Sequence, residues 1–209
     1  MLLSVVDVLR CPRPHEESSL VLSVETWNDQ RILRGTLGCP ICHCRFSIEN
    51  GVTDFREGKG ALRTVRDGGE VDTLRLAAQL ALTDPGGFVL LTGTYASVAD
   101  SFTDLAGVTC IVIDWQVPDE SIAVEVIVSD RLPLAAGTLR AAAVDAPHAS
   151  PGFLAAVAAS IRDDGRIVGP AAAALPPSVE ELARDDREWV GRVRKDGTPI
   201  RLLSRRDRR

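Results

Sequence analysis

Gly38-Cys39-Pro40-Ile41-Cys42-His43-Cys44 is a short stretch, yet it sets the reading of everything around it. A C-P-x-C turn aims two sulfurs at one point, and zinc favours four such donors in a tetrahedron, with cysteine thiolate and histidine nitrogen the usual choices. Strand signals flank the knuckle. Leu20 to Val24 partly alternates apolar and polar side chains, Trp27-Asn28-Asp29 reads as a turn, and Arg31 to Leu37 reads as a returning strand. Phe46 and Ile48 alternate again, Asn50-Gly51 is a tight-turn signal, and Val52 to Phe55 closes the unit. Leu2 to Leu9 fits one or two helical turns running into Cys11-Pro12. A second ligand pair is expected there, across the hairpin. Cys11 supplies one donor, but Pro14 stands where C-P-x-C would place the other. His15 can stand in, and Cys44 is the other candidate. The expected ion is Zn²⁺ and the expected set is Cys11, His15, Cys39 and Cys42, with Cys44 as the rival fourth ligand.

Composition limits the alternatives. Of five cysteines, four fall in the first 44 residues. With no basic n-region or long apolar h-region at Met1-Leu2-Leu3-Ser4-Val5-Val6-Asp7, no signal peptide is expected. Cysteines in such a chain read as metal ligands rather than disulfides, and the expected place is the cytoplasm. Cys110, inside an apolar run, reads as core. The net charge of −5 offers nucleic acid no overall attraction, although Arg201 to Arg209 forms a basic tail. No apolar run is long enough to span a membrane. A length of 209 residues suits one small module plus one medium one.

The texture changes after the knuckle. Residues 1–56 read as a β-rich module, and 57–69, with Gly58, Gly60, Gly68 and Gly69, as a linker. From residue 70 to 209 short apolar runs alternate with helical patterns. Val71, Leu74, Ala78 and Ala81 or Leu82 recur at helical spacing, with the stop at Asp84-Pro85-Gly86-Gly87. Phe88 to Leu91, Val108 to Ile113, Ala123 to Val128, Leu139 to Val144 and Arg166 to Val168 read as strands, the last after a turn at Asp164-Gly165. Ser150 to Ile161 reads as a helix. This pattern predicts a mostly parallel sheet covered on both faces. Lys195-Asp196-Gly197 between Trp189–Arg194 and Pro199–Ser204 predicts a closing antiparallel hairpin. The expected fold is therefore α/β: a small zinc-ribbon-like domain, then a Rossmann-like sheet ending in an antiparallel hairpin.

Two family resemblances follow from ordered motifs. Leu9-Arg10-Cys11-Pro12, Arg34-Gly35, Leu37-Gly38-Cys39-Pro40-Ile41-Cys42 and Phe46-Ser47-Ile48-Glu49-Asn50-Gly51-Val52 resemble the zinc-ribbon activator subunit of tRNA, rRNA and release-factor methyltransferases. That resemblance covers residues 1–56 and implies a protein partner. Val89-Leu90-Leu91-Thr92-Gly93-Thr94-Tyr95-Ala96-Ser97, Asp130 to Leu139 with its Leu132-Pro133, and Ile161 to Val168 resemble, in order, three motifs of the class I S-adenosylmethionine-dependent methyltransferases. The second resemblance implies S-adenosylmethionine as cofactor, over Gly93, with Asp114 and Asp130 near ribose and adenine. RNA or protein would be the implied substrate.

Departures from the second pattern are concentrated in the cofactor loop. Leu91 replaces an acid, and Tyr95 and Ser97 replace glycines, so that Tyr95 points a large side chain at the place of the cofactor's methionine part. Arg140 stands where the family often has aspartate. Asp145-Ala146-Pro147-His148 keeps an acid-x-Pro skeleton without the stacking aromatic, and His148 has no partner legible in the sequence. These departures favour a non-catalytic binding or assembly module over an active methyltransferase.

Overall fold

The computed structural model describes residues 1–29, 31–56, 71–113, 121, 123–127 and 131–195. A helical turn α1 (Leu3–Val6) precedes four strands: β1 (Val21–Asn28), β2 (Arg31–Gly38), β3 (Arg45–Glu49) and β4 (Val52–Asp54). Asn50 and Gly51, at φ 52° and 83°, make the tight turn between β3 and β4 that Asn-Gly predicts. The strand β1 runs through Trp27 and Asn28, which the sequence places in a turn.

Residues 57–70, which include the expected linker 57–69, lie outside the described ones, and α2 (Thr73–Gln79) follows them. The Asp72 carboxylate caps it by accepting from the Arg75 N–H at 3.0 Å. It ends short of the expected stop, with Ala81 at φ 52°. Then follow β5 (Phe88–Thr92), a 3₁₀ turn over Gly93–Val98, α3 (Ala99–Ala106), β6 (Thr109–Ile113), β7 (Val124–Ile127) and β8 (Leu139–Ala143). A second 3₁₀ turn (Ala146–His148), α4 (Pro151–Ser160), β9 (Ile161–Pro170), β10 (Val179–Arg184) and β11 (Glu188–Val193) complete the described elements.

Among the described residues, all eleven strands join one sheet in the order β1-β2-β3-β4-β7-β6-β5-β8-β9-β11-β10. Its core, β7-β6-β5-β8-β9, is parallel and follows the doubly wound order, with β6 and β7 added on one side of β5 and then β8 and β9 on the other. Near-continuous apolar runs such as Val89-Leu90-Leu91 and Cys110-Ile111-Val112-Ile113 suit strands buried on both faces. One face, with Val89, Leu91, Val112 and Ala143, is covered by Leu76 and Leu80 around α2 and by Phe102 of α3. The other, with Leu90, Ile111, Ile113 and Ala142, is covered by α4 and by Met1, Val5, Val6 and Leu9.

An antiparallel hairpin, β10–β11, is present; β11 coincides with the expected strand Trp189–Arg194, while the expected second strand, Pro199–Ser204, lies outside the described residues. β11 pairs with β9 on one side and β10 on the other. Its turn needs no glycine, because the Asp185 carboxylate accepts from the N–H groups of Arg187 and Glu188, both at 2.8 Å. Asp196-Gly197 lies outside the described residues. β9 also begins earlier than expected. Asp164-Gly165 is a bulge inside it, and the register moves from Leu139↔Ile161 to Ala141↔Arg166.

The N-terminal strands and the parallel sheet are continuous. β4 runs parallel to β7, pairing Thr53 with Val126 and Asp54 with Ile127. The Arg10 N–H donates to the Pro133 carbonyl and the Ala135 N–H to the Val8 carbonyl, both at 2.9 Å. The Arg31 guanidinium donates to the carbonyls of Ser121 and Ala123. Phe46 and Phe55 pack against each other with ring centroids 4.8 Å apart and planes tilted by 46°.

Candidate functional site

The knuckle closes by backbone bonds. The Cys39 N–H donates to the Cys44 carbonyl at 2.9 Å and the His43 N–H to the Cys39 carbonyl at 3.0 Å, with His43 at φ 59°. This geometry turns backbone N–H groups toward sulfur. The N–H of Cys44 holds the Cys42 thiol down to about 6. Burial by itself would raise Cys39, but the N–H groups of Cys42 and Ile41 outweigh it and lower that thiol too. Cys11, with burial dominant, is pushed up to about 12.

The ligand atoms of Cys11, His15, Cys39 and Cys42 all lie within 4.8 Å of one another. Cys11 Sγ is 3.7 Å from Cys42 Sγ, and Cys39 Sγ is 3.4 Å from His15 Nε2. Zn–S bonds of about 2.3 Å in a tetrahedron place neighbouring sulfurs roughly 3.8 Å apart, so these separations are those of a tetrahedral ion's ligands. His15 Nδ1–H donates to the Glu16 carbonyl at 2.6 Å, which leaves Nε2 as the bare nitrogen facing the sulfurs. The donor set therefore fits zinc. Cys44 stays outside the four, although its thiol hydrogen-bonds Cys42. Cys110, fully buried in β6, is core.

The second candidate site lies where β5 and β8 end. Gly93 opens the loop after β5 at φ 49°. A Cβ built on it would sit 1.7 Å from Asp145 Oδ2, so the carboxylate of Asp145 rests on the glycine's open side. Thr92 Oγ1 donates to Asp145 Oδ1 at 2.7 Å and accepts from the Asp145 N–H at 3.0 Å. His148 Nδ1–H reaches the same Oδ1 at 2.5 Å. Burial alone would raise Asp145, but the bonds from His148 and Thr92 hold it below the usual carboxylate range. Asp145 Oδ2 and His148 Nε2 are buried with no hydrogen-bond partner among the described residues.

Tyr95 is tied across the cleft: its hydroxyl donates to Glu188 Oε2 at 3.1 Å. Burial, and then the charge of Glu188, pushes its phenol above the ordinary range. Glu188 Oε1 also accepts from Arg75 and Gln79 of α2, each at 2.7 Å. A cleft of about 360 Å³ remains beside these groups, lined among others by Val71, Arg75, Tyr95, Asp145, Arg187 and Glu188.

Of the sequence-predicted cofactor residues, Gly93 stands at the end of β5 as expected. Asp114 and Asp130 lie outside the described residues. Leu91 is buried in the α2 and α3 face. Arg140 is buried at the start of β8, where its guanidinium donates to the carbonyls of Asp84 and Gly86, far along the strand from the loop. Ser97 Oγ caps the 3₁₀ turn by donating to the Thr94 carbonyl at 2.7 Å. The Asp145–His148 pair was legible only as an acid three residues ahead of a histidine. Nothing in the sequence signals Glu188 as the partner of Tyr95.

No family model matches the chain, and no curated protein matches it in sequence. Solved structures resemble it in fold. An antibiotic-resistance methyltransferase, Kmr, is 13% identical with a TM-score of 0.40 over 63% of this chain and 97% of its own. An S-adenosyl-L-methionine methyl transferase from Silicibacter pomeroyi is 16% identical with a TM-score of 0.43, over 57% of this chain and 89% of its own. A chain of the complex between a Haloferax volcanii methyltransferase activator and a methyltransferase is 16% identical with a TM-score of 0.34, over 44% of this chain and 50% of its own. These are likenesses of fold alone.

Proposed function

We propose that this protein is a methyltransferase-like binding or assembly module with a fused, zinc-binding activator-type ribbon, whose cofactor position is filled by its own side chains. One observation carries the reading. The Asp145 carboxylate occupies the open side of Gly93, the one glycine left of the loop pattern. A cofactor approaching the backbone there would have to expel a buried carboxylate bonded to Thr92 and His148. Tyr95, held by Glu188, narrows the same place. The residues present do not fit S-adenosylmethionine at this loop.

Zinc has a structural role in this reading. Cys11, His15, Cys39 and Cys42 would hold it, cross-linking the segment after α1 to the turn after β2. Free cysteines throughout suit a reducing, cytoplasmic setting. A protein partner suits a ribbon of the activator type better than RNA does, given the net charge of −5.

Calorimetric titration with S-adenosylmethionine tests the main reading. Silence from folded, zinc-loaded protein is expected, and tight binding would overturn it. The active-enzyme alternative, methylation of RNA or protein, draws on the Asp145–His148 pair beside the cleft and would gain from that same binding. Metal analysis is expected to give about one zinc per chain in the wild type and in His15→Cys. Cys39→Ala should lose it. Zinc absent from the wild type would reduce the knuckle to a metal-free turn.

A further inference from the structure

The two edges of the eleven-stranded sheet are built differently. At one edge β10 presents Glu180, Glu181 and Arg184, charges of the kind that protect a sheet from edge-to-edge pairing. At the other, β1 is an eight-residue strand with neither lysine nor proline. Among the described residues it pairs with β2 alone, so its outer row of N–H and C=O groups has no strand beside it. Its apolar side chains face water: Val21 is 63% exposed, Val24 46% and Trp27 70%. Leu3 of α1, 58% exposed, continues the patch. Trp27 and Val24 also wall an apolar groove of about 800 Å³ with Leu2, Leu3 and Ile32.

The spacing of the exposed residues on β1 is symmetric. Val21 and Trp27 lie three residues either side of Val24. An antiparallel pair of β1 strands from two copies, centred on Val24, therefore sets Val24 against its own counterpart and Val21 against the other copy's Trp27. The latter is an aromatic–β-branched pair of the kind that stabilises antiparallel ladders. Leu22 then faces Thr26 and Ser23 faces Glu25. Glu25, the one charge in β1, meets a serine rather than a second carboxylate. Val21 of the second copy also arrives beside Trp27 at the mouth of the groove. The β1–β2 register shifts on either side of Thr26 and leaves Glu25 without a partner on β2, so in this pairing the regular half of each copy, Val21 to Val24, lies against the bulged half of the other.

We infer that β1 is a dimerisation edge: two copies of this chain associate by antiparallel β1–β1 pairing about a twofold axis at Val24, joining their sheets into one. A twofold interface must be self-complementary, and this register satisfies that condition in both apolar contact and charge. The surface involved is on the order of 1,000 Å², at the low end for specific interfaces, so a reversible, micromolar dimer is the expected species.

Analytical ultracentrifugation of the full, zinc-loaded chain tests this. Wild type should pass from monomer to dimer across the micromolar range. Val24→Lys and Val24→Glu, each facing its own like charge across the axis, should both be monomeric with unchanged circular dichroism. An equimolar mixture of the two should recover a heterodimer. Glu181→Lys, on the other edge, should dimerise as wild type does. A wild type that stays monomeric, a Val24→Lys protein that dimerises normally, or a mixture of folded variants that stays monomeric would each overturn the inference.

Discussion

Asp145 ties the end of β8 to the end of β5 through one carboxylate. Oδ1 takes bonds from Thr92 and His148 while Oδ2 lies on Gly93. Gly93→Ala therefore suffers twice: from a φ of 49° that an alanine resists, and from a methyl placed where the carboxylate sits. The backbone part alone costs about 1 kcal/mol. In an Asp145→Ala background the collision disappears, so the same substitution should cost less there, with a coupling of roughly 1–2 kcal/mol in urea unfolding. Equal costs in both backgrounds would mean that the carboxylate does not fill the loop.

The titration of Asp145 gives a second expectation at this scale. A carboxylate held below its unfolded value stabilises the fold above that unfolded value, and the contribution fades as pH falls through the lower, folded one. Asp145→Asn should thus be less stable than wild type at neutral pH. The gap, about 1–3 kcal/mol for a lost charge-assisted bond, should shrink on acidification below the ordinary carboxylate range. A gap that holds constant into acid would sink this assignment. Tyr95 is the one tyrosine of the chain, so ultraviolet absorbance reads it alone. Its ionisation should begin above the ordinary tyrosine range and move back toward it in Glu188→Gln, although burial, the larger cause, remains. An identical titration in both proteins would deny the Tyr95–Glu188 bond.

At the scale of elements, the sequence was most legible where a single strong pattern acts locally. Continuous apolar runs marked β5, β6 and β8, because a strand buried on both faces needs no polar alternation. Asn50-Gly51 marked its hairpin because only a few residue types accept two positive φ angles. Cys39-Pro40-Ile41-Cys42 marked the knuckle, and His15 was legible as a stand-in for the missing cysteine. β10 was not legible. Val179-Glu180-Glu181-Leu182 carries charges toward solvent on an edge, and its turn is closed by the Asp185 side chain rather than by glycine. Asp164-Gly165 misled for a related reason. Its turn chemistry is real, but neighbouring strands absorb it as a bulge, with Gly165 lodged against the Arg140 carbonyl. The closure of the cleft by Tyr95 and Glu188 depends on a contact between distant parts of the chain, which no local pattern encodes.

At the scale of the molecule, residues 1–56 serve the parallel sheet as covering as well as edge. The connections β6 to β7 and β7 to β8 span 114–123 and 128–138. A helical crossover takes a dozen residues or more, and among the described residues no helix lies in either connection. The sheet face over Leu90, Ile111, Ile113, Val124 and Val126 is covered instead by Met1, Val5, Val6 and Leu9 together with α4. Each of these N-terminal side chains contributes about 1.5–3 kcal/mol by leaving water, against a whole-domain stability of roughly 5–15 kcal/mol. Their loss alone is enough to consume that margin, before the pairing of β4 with β7 is counted. A chain of residues 57–209 should therefore fail to give a cooperative thermal transition, whereas the full chain should unfold in one calorimetric step. Removing zinc with a chelator should lower that single step as a whole rather than split it, since the Cys39 and Cys11 side chains belong to the same contiguous core as Leu90 and Ile113. Two separate transitions in the full chain, or a cooperative one in 57–209, would make the N-terminal strands an attachment instead of part of the fold.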